Sequence, residues 1–157
     1  MRETTLPFTQ SHSAIARVKN PLSAPTECPH CGSAVRIGHH KEIYGKEYGK
    51  WPWVYVCTKC DSYVGMHPFT AIPLGTLANS ELRAARNVAK APFEMLWRPN
   101  TGKRSAAYAA LAAHLGIPVE QCHFGWFDVQ MCARAHEWAK AELARRSASI
   151  GVGQGAV

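Results

Sequence analysis

No apolar run in this sequence is long enough to cross a bilayer. The longest, Ala106 to Ala113, falls well short of the ~20 residues that a membrane-spanning helix needs. The N-terminus lacks a basic stretch followed by an apolar one, so no secretory leader is expected there. There is no glycine-rich phosphate loop, no Gly-x-Ser-x-Gly elbow and no His-Glu-x-x-His pair. These absences argue against a membrane protein, a P-loop nucleotide hydrolase, a serine hydrolase of that type and a common metalloprotease. They also predict a cytoplasmic protein with no membrane partner. Acidic residues are scarce, with 11 Asp and Glu against 18 Lys and Arg, for a net charge of +7. The excess is spread along the chain. Attraction to phosphate is compatible with that balance, but no face is marked by it.

What is present begins with cysteine. Cys28-Pro29-His30-Cys31-Gly32 is answered by Cys57-Thr58-Lys59-Cys60, with 25 residues between the inner cysteines. Each Cys-x-x-Cys turn offers two thiolates, and two such turns complete a tetrahedral zinc site. Two disulfides, or four buried thiols, are the alternatives. A reducing compartment and the doubled spacing favour metal. The expected cofactor is one structural Zn²⁺ held by Cys28, Cys31, Cys57 and Cys60. Four thiolates around one zinc ion carry −2, which brings the loaded protein to about +5.

Read in order, residues 1–26 are rich in Ser, Thr and Pro and predict a flexible N-terminal arm. Residues 27–67 read as a zinc ribbon. Ala34 to Tyr44 alternates weakly as a strand, the glycine-flanked stretch from Gly45 to Lys50 is a turn, Trp51 to Val56 is a clear strand, and Asp61 to Met66 is a short third one. Residues 68–79 hold Pro68, Pro73 and Gly75 among four large apolar residues, which predicts a packed connector. Residues 80–146 turn helical. Asn79 or Ser80 caps a first helix with Leu82, Ala85, Ala89, Phe93 and Leu96 on one face, and Pro92 predicts a kink or a split. A second helix spans 103–115 and stops at Gly116. Asp128 caps a last one, with Val129, Cys132, Ala135, Ala139 and Leu143 as its buried stripe and Phe127 placed as a staple. Residues 147–157 read as a disordered tail. The expected fold class is α+β: an N-terminal four-cysteine ribbon, with a small antiparallel sheet, packed on a C-terminal bundle of three to four helices.

Two features could carry function. Trp51, Trp53 and Tyr55 share one strand face, with Tyr44 and Tyr48 close by in sequence. Basic residues surround them. The candidate binding set is Arg36, Lys41, Tyr44, Lys46, Tyr48, Lys50, Trp51, Trp53 and Lys59. Aromatics interleaved with cations grip single-stranded nucleic acid. The same aromatics could instead pack the ribbon onto the helices, since a small sheet must bury one face. The second feature is Cys122, His123, Cys132 and His136, whose spacing matches no common zinc pattern and which lack a third group to orient a Cys–His nucleophile. His40-Lys41-Glu42 ahead of Cys57-x-x-Cys60 superficially matches zinc deaminases. Val56 stands where their proline would be, and a four-cysteine shell leaves no open position for water. The expectation is therefore a protein that is not an enzyme, with His39 and His40 on the surface.

The motifs also support a resemblance. Cys28-Pro29-His30-Cys31-Gly32 comes first, then Cys57-x-x-Cys60-x-x-Tyr63-Val64-Gly65-Met66-His67. Pro73-Leu74-Gly75-Thr76-Leu77-Ala78 and His123-Phe124-Gly125-Trp126-Phe127-Asp128 follow in order. Over Glu27 to Arg146 the chain resembles a zinc-finger-containing family of unknown function found mainly in bacteriophages and prophages. The resemblance implies a ribbon followed by a small helical bundle, acting in the bacterial cytoplasm, and no catalytic residues. Pro92 departs from the uninterrupted helix it implies. The ribbon, the basic balance and the aromatic–basic hairpin predict nucleic acid or bacterial RNA polymerase as the partner. The alternative is a host protein, such as a defence-system component, that a phage protein inhibits or redirects.

Overall fold

Residues 34–57 fold back on themselves because both ends of the segment are tied to cysteine turns. The computed structural model describes residues 5–154, and side chains as far as residue 149. Strand β1 (Val35–His39) pairs antiparallel with β2 (Trp53–Cys57), in a register that sets Val35 against Cys57 and His39 against Trp53. β3 (Tyr63–Gly65) adds to the other edge of β2, with Tyr55 facing Val64. The sheet order is β1-β2-β3. One face carries Val35 and Ile37 from β1, Trp53, Tyr55 and Cys57 from β2, and Val64 from β3. With Cys28, Met66 and Leu77 it forms the core of this unit.

The strand expected over 34–44 ends at His39. A one-turn helix, α2 (His40–Tyr44), takes over. The reason is a reciprocal cap: His39 Nδ1 accepts from the Lys41 amide at 3.1 Å, and Glu42 Oε2 accepts from the His39 amide at 2.7 Å. Gly38 permits it. A Cβ there would lie 2.5 Å from Val56 Cγ2 and 2.8 Å from Glu42 Oε2. Gly45, at φ 73°, closes the turn with its amide on Lys41 O.

Residues 5–26 of the arm are structured where the sequence predicts flexibility; residues 1–4 lie outside the described residues. Helix α1 (His12–Arg17) begins at Ser11, whose hydroxyl accepts from the Ala14 amide. Ahead of it, Phe8 sits 4.7 Å edge-on to Trp51 and 5.4 Å from Trp53. The Gln10 side-chain Oε1 accepts from the Ala71 amide at 2.7 Å, and the Ser11 amide donates to Phe69 O. The segment orders because it covers tryptophan surface that the sheet alone would leave wet. The connector covers more of it: Phe69 lies 5.2 Å from Trp51, whose indole N–H donates to Thr70 O.

The chain divides into two compact units, one ending at Asn79 and the other starting at Ser80. The second unit holds α3 (Ser80–Met95), α4 (Arg104–Leu115) and α5 (Val129–Gln154). Pro92 neither splits nor ends α3; it falls in the last turn before Met95. α3 packs on α5 with small residues at the seam, since Ala89, Ala135 and Ala139 are all fully buried. Phe93 and Leu111 complete the core. α4 stops at Gly116, whose amide reaches back to Ala112 and Ala113. The Asp128 carboxylate caps α5 at the Met131 amide, 2.8 Å away. Val129, expected in the buried stripe, is 41% exposed, because it lies on the outer side of the first turn. Residues 147–154, read as part of a disordered tail, continue α5; residues 155–157 lie outside the described residues. No helix among the described residues is long and apolar enough to cross a membrane.

Candidate metal centre

The two cysteine turns are built alike. In the first, the Gly32 amide donates to Cys28 O, the Cys28 amide to Ser33 O, and Glu27 bridges Ala34. In the second, the Cys57 amide donates to Ser62 O, and Thr58 reaches Ala34 O through both its amide and its hydroxyl. Thr58 therefore ties one turn to the other. The four sulfurs all lie within 4.8 Å of one another. Cys31 and Cys57 are 3.3 Å apart and Cys28 and Cys60 3.6 Å. A disulfide needs about 2.05 Å, and all six cysteines are free. A tetrahedral ion with Zn–S bonds of about 2.3 Å needs sulfurs about 3.8 Å apart. The cluster fits that ion.

The surroundings suit thiolates. The His30 amide points at Cys28 Sγ, and the Lys59 and Cys60 amides at Cys57 Sγ, each at 3.4 Å. Such donors stabilise sulfur-borne charge and hold the ligands in place. The Ser62 oxygen, fully buried, lies 3.0 Å from Cys60 Sγ and donates to it once that sulfur is a thiolate. Ser62 and His30, whose Nε2 meets Leu77 O at 2.9 Å, are supporting residues that the cysteine spacing does not reveal. A serine two positions after a ligand carries no signal of its own; only the closure of the sheet buries it.

Proton competition follows from the same contacts. The Ser33 hydroxyl and amide, helped by Cys57, hold the Cys31 thiol down at about 6. Ser62 pulls the Cys60 thiol down, but burial and the neighbouring Cys28 and Cys57 outweigh it and push it up to about 11. Between those values, zinc must displace at least the Cys60 proton. Apparent zinc affinity should therefore fall at least about tenfold per unit as pH drops from 8 to 6.5, and more steeply once Cys31 also protonates. Chelator competition at stepped pH measures this, and an affinity that is flat over the range would contradict it.

The remaining candidates are dispersed. Trp51 and Trp53 are half-buried, both against Phe8 and Trp51 also against Phe69, all within the first unit. Arg36 pairs with Glu42 at 2.8 Å and Lys41 with Glu47 at 3.8 Å. His39 caps α2, and His40 Nδ1 accepts from the Tyr48 amide at 3.1 Å. Glu42 serves that cap and Arg36, so the deaminase-like pattern does not assemble. Tyr44, Lys46, Tyr48, Lys50 and Lys59 are exposed. Tyr44 and Tyr48 meet edge-on at 5.2 Å, and Lys46 Nζ lies 5.0 Å from the centre of the Tyr48 ring. Cys122 and Cys132 are buried, and burial raises both thiols, Cys122 to about 11. They behave as small apolar core residues. Among the described residues, only the four ribbon cysteines converge as a metal-binding group.

No curated protein and no solved structure matches this chain. Comparison with known families matches residues 24–142 to a zinc-finger-containing domain. That span takes in both cysteine turns, the sheet, α3, α4 and about the first half of α5. The chain therefore belongs to this zinc-finger-containing family, with one structural zinc ion held by Cys28, Cys31, Cys57 and Cys60.

Proposed function

We propose that this is a non-enzymatic binding protein of a phage or prophage, acting in the bacterial cytoplasm on nucleic acid or RNA polymerase. A shell closed by four sulfurs leaves zinc no open position for a reacting water, which supports a purely structural metal. The observation that carries the reading is the exposed cluster between β1 and β2. Tyr44 is 44% and Tyr48 51% exposed, and Lys46 stands over the Tyr48 ring, with Lys50 two residues further on. Half-exposed tyrosine rings beside lysines that have no carboxylate partner among the described residues suit a stacked base and its phosphate. Trp51 and Trp53 are half-buried against neighbouring rings, and Arg36 and Lys41 have carboxylate partners, so the contact surface contracts to Tyr44, Lys46, Tyr48, Lys50 and Lys59.

Replacing Lys46 and Lys50 together by glutamate should weaken binding to a single-stranded oligonucleotide about tenfold or more. It should also reduce the salt slope by about 1.4, or ~0.7 per phosphate contact. Zinc content should stay unchanged, because neither lysine touches a ligand. Fluorescence anisotropy at several salt concentrations reads both effects. Unaltered binding would remove the hairpin from the contact. A nuclease-resistant, salt-insensitive complex with one host protein in lysate would instead favour the reading of a phage protein that redirects a host factor.

A further inference from the structure

A cavity of about 210 Å³ opens beside the first turn of α4, lined by Arg104, Ser105, Tyr108, Val119, Cys122 and His123. It lies wholly within the helical unit. A drug-sized ligand takes roughly 300 Å³ or more; this cavity is the size for a small ionic group and a few further atoms.

Its charge is one-sided. Arg104 is the only permanently charged side chain in the lining. Among the described residues it has no carboxylate partner, and Glu94 is taken by Lys90 at 3.6 Å and Arg98 at 2.9 Å. Burial pushes the Cys122 thiol up to about 11, so it contributes no competing anion. Burial also keeps the Tyr108 phenol protonated and able to donate.

The guanidinium is held in place. Its centre is 5.2 Å from the Trp97 ring and 4.9 Å from the Tyr108 ring, so it rests on two aromatic faces. Arg104 is exposed, but a planar fork braced in this way loses less entropy on binding than an unbraced one and matches a tetrahedral oxyanion. Ser105 and Tyr108 add hydroxyl donors at the same wall. His123 gives its Nε2–H to Glu120 O at 2.9 Å, which fixes the ring at the edge of the cavity. Val119 and Cys122 supply the apolar side, where an ester group could rest.

We propose that this cavity is a binding site for a phosphate group, carried as the terminal monoester of a small molecule or a nucleic-acid end, and held by Arg104, Ser105 and Tyr108. The cavity is lined by residues of the second unit alone, and the hairpin between β1 and β2 belongs to the first. Glutamate at Lys46 and Lys50 leaves the cavity intact, so the two readings fail separately.

The test titrates inorganic phosphate into the full zinc-loaded chain at constant ionic strength and follows amide and indole NMR signals. Saturable shifts are expected at Arg104, Ser105, Tyr108 and the Trp97 indole. Arg104→Ala should weaken binding at least tenfold. Tyr108→Phe, which retains the ring under the guanidinium, should weaken it several-fold and guards against misreading a folding defect. Parallel titrations with a nucleoside monophosphate and with 5′-phosphorylated and 5′-hydroxyl oligonucleotides identify the carrier. Absence of saturable shifts, equal shifts with chloride, or undiminished binding by a folded Arg104→Ala variant would each overturn the proposal.

Discussion

Withdrawing zinc, or replacing Cys57 by serine, is expected to unfold the first unit and leave the helices of the second standing. The main buried cluster of the ribbon is Cys28, Tyr55, Cys57, Val64, Met66 and Leu77, and two of these, Cys28 and Cys57, are ligands. Without metal, that core is built around thiols whose ionised forms repel one another. Three strands of three to five residues cannot compensate. Structural zinc contributes about 10–16 kcal/mol of apparent binding free energy in small zinc-finger peptides at neutral pH, which is comparable to or larger than the whole stability of a typical domain. Serine at position 57 makes the loss permanent, because an alcohol is a far poorer zinc ligand than a thiolate. Cys57 is also the ligand inside a strand, paired with Val35, so its disturbance passes straight into the β1–β2 ladder. The readouts are zinc stoichiometry, amide dispersion in the strands and helical ellipticity. Stoichiometry should fall to zero and the β1–β3 amides should collapse, while most of the helical signal persists. A chelated protein that retained its strand amides would show that the metal is dispensable.

The converse experiment strikes the second unit. Phe93→Ala should destabilise it by about 3–5 kcal/mol, the usual cost of emptying a buried phenylalanine site. Phe93 is completely buried, with its ring 4.7 Å from Tyr108 and 5.1 Å from Phe124. Phe124 in turn meets Phe127 at 5.2 Å. The surrounding rings cannot collapse into the vacated space, because they are held by two separate segments, Tyr108 by α4 and Phe124 and Phe127 by the turn that leads into α5. A loss of that size lowers the melting temperature of a domain this small by about 12 °C or more. Zinc stoichiometry should remain one, since every ligand lies before Asn79. Calorimetry with a parallel zinc assay checks both halves. A shift of only a few degrees would mean that the Phe93 site relaxes far more readily than its neighbours suggest.

The legible parts of this protein share a property: their cause lies within a few residues. Two Cys-x-x-Cys turns announce four ligands because zinc demands four soft donors and a tight turn presents two at a time. The stop at Gly116 and the cap at Asp128 are equally local. α2 was hidden for the opposite reason. Its N-cap is His39 rather than Ser, Thr, Asp or Asn, and a weakly alternating run reads as strand until Glu42 is seen to fold back over Gly38.

The doubled cysteine turns by themselves determined the zinc site, and helical periodicity determined the three helices after Ser80. The tertiary structure alone decided what becomes of the aromatics. Phe8 and Gln10 order the arm by contacts with residues more than forty and sixty positions away, and in doing so they withdraw Trp51 and Trp53 from solvent. Burial is a property of surfaces brought together across the chain, and no local pattern in residues 1–26 foreshadows it. Arg104 follows the same rule. In the sequence it is one of 18 basic residues; only the fold places it between Trp97 and Tyr108 at the wall of a cavity, where its charge has a direction.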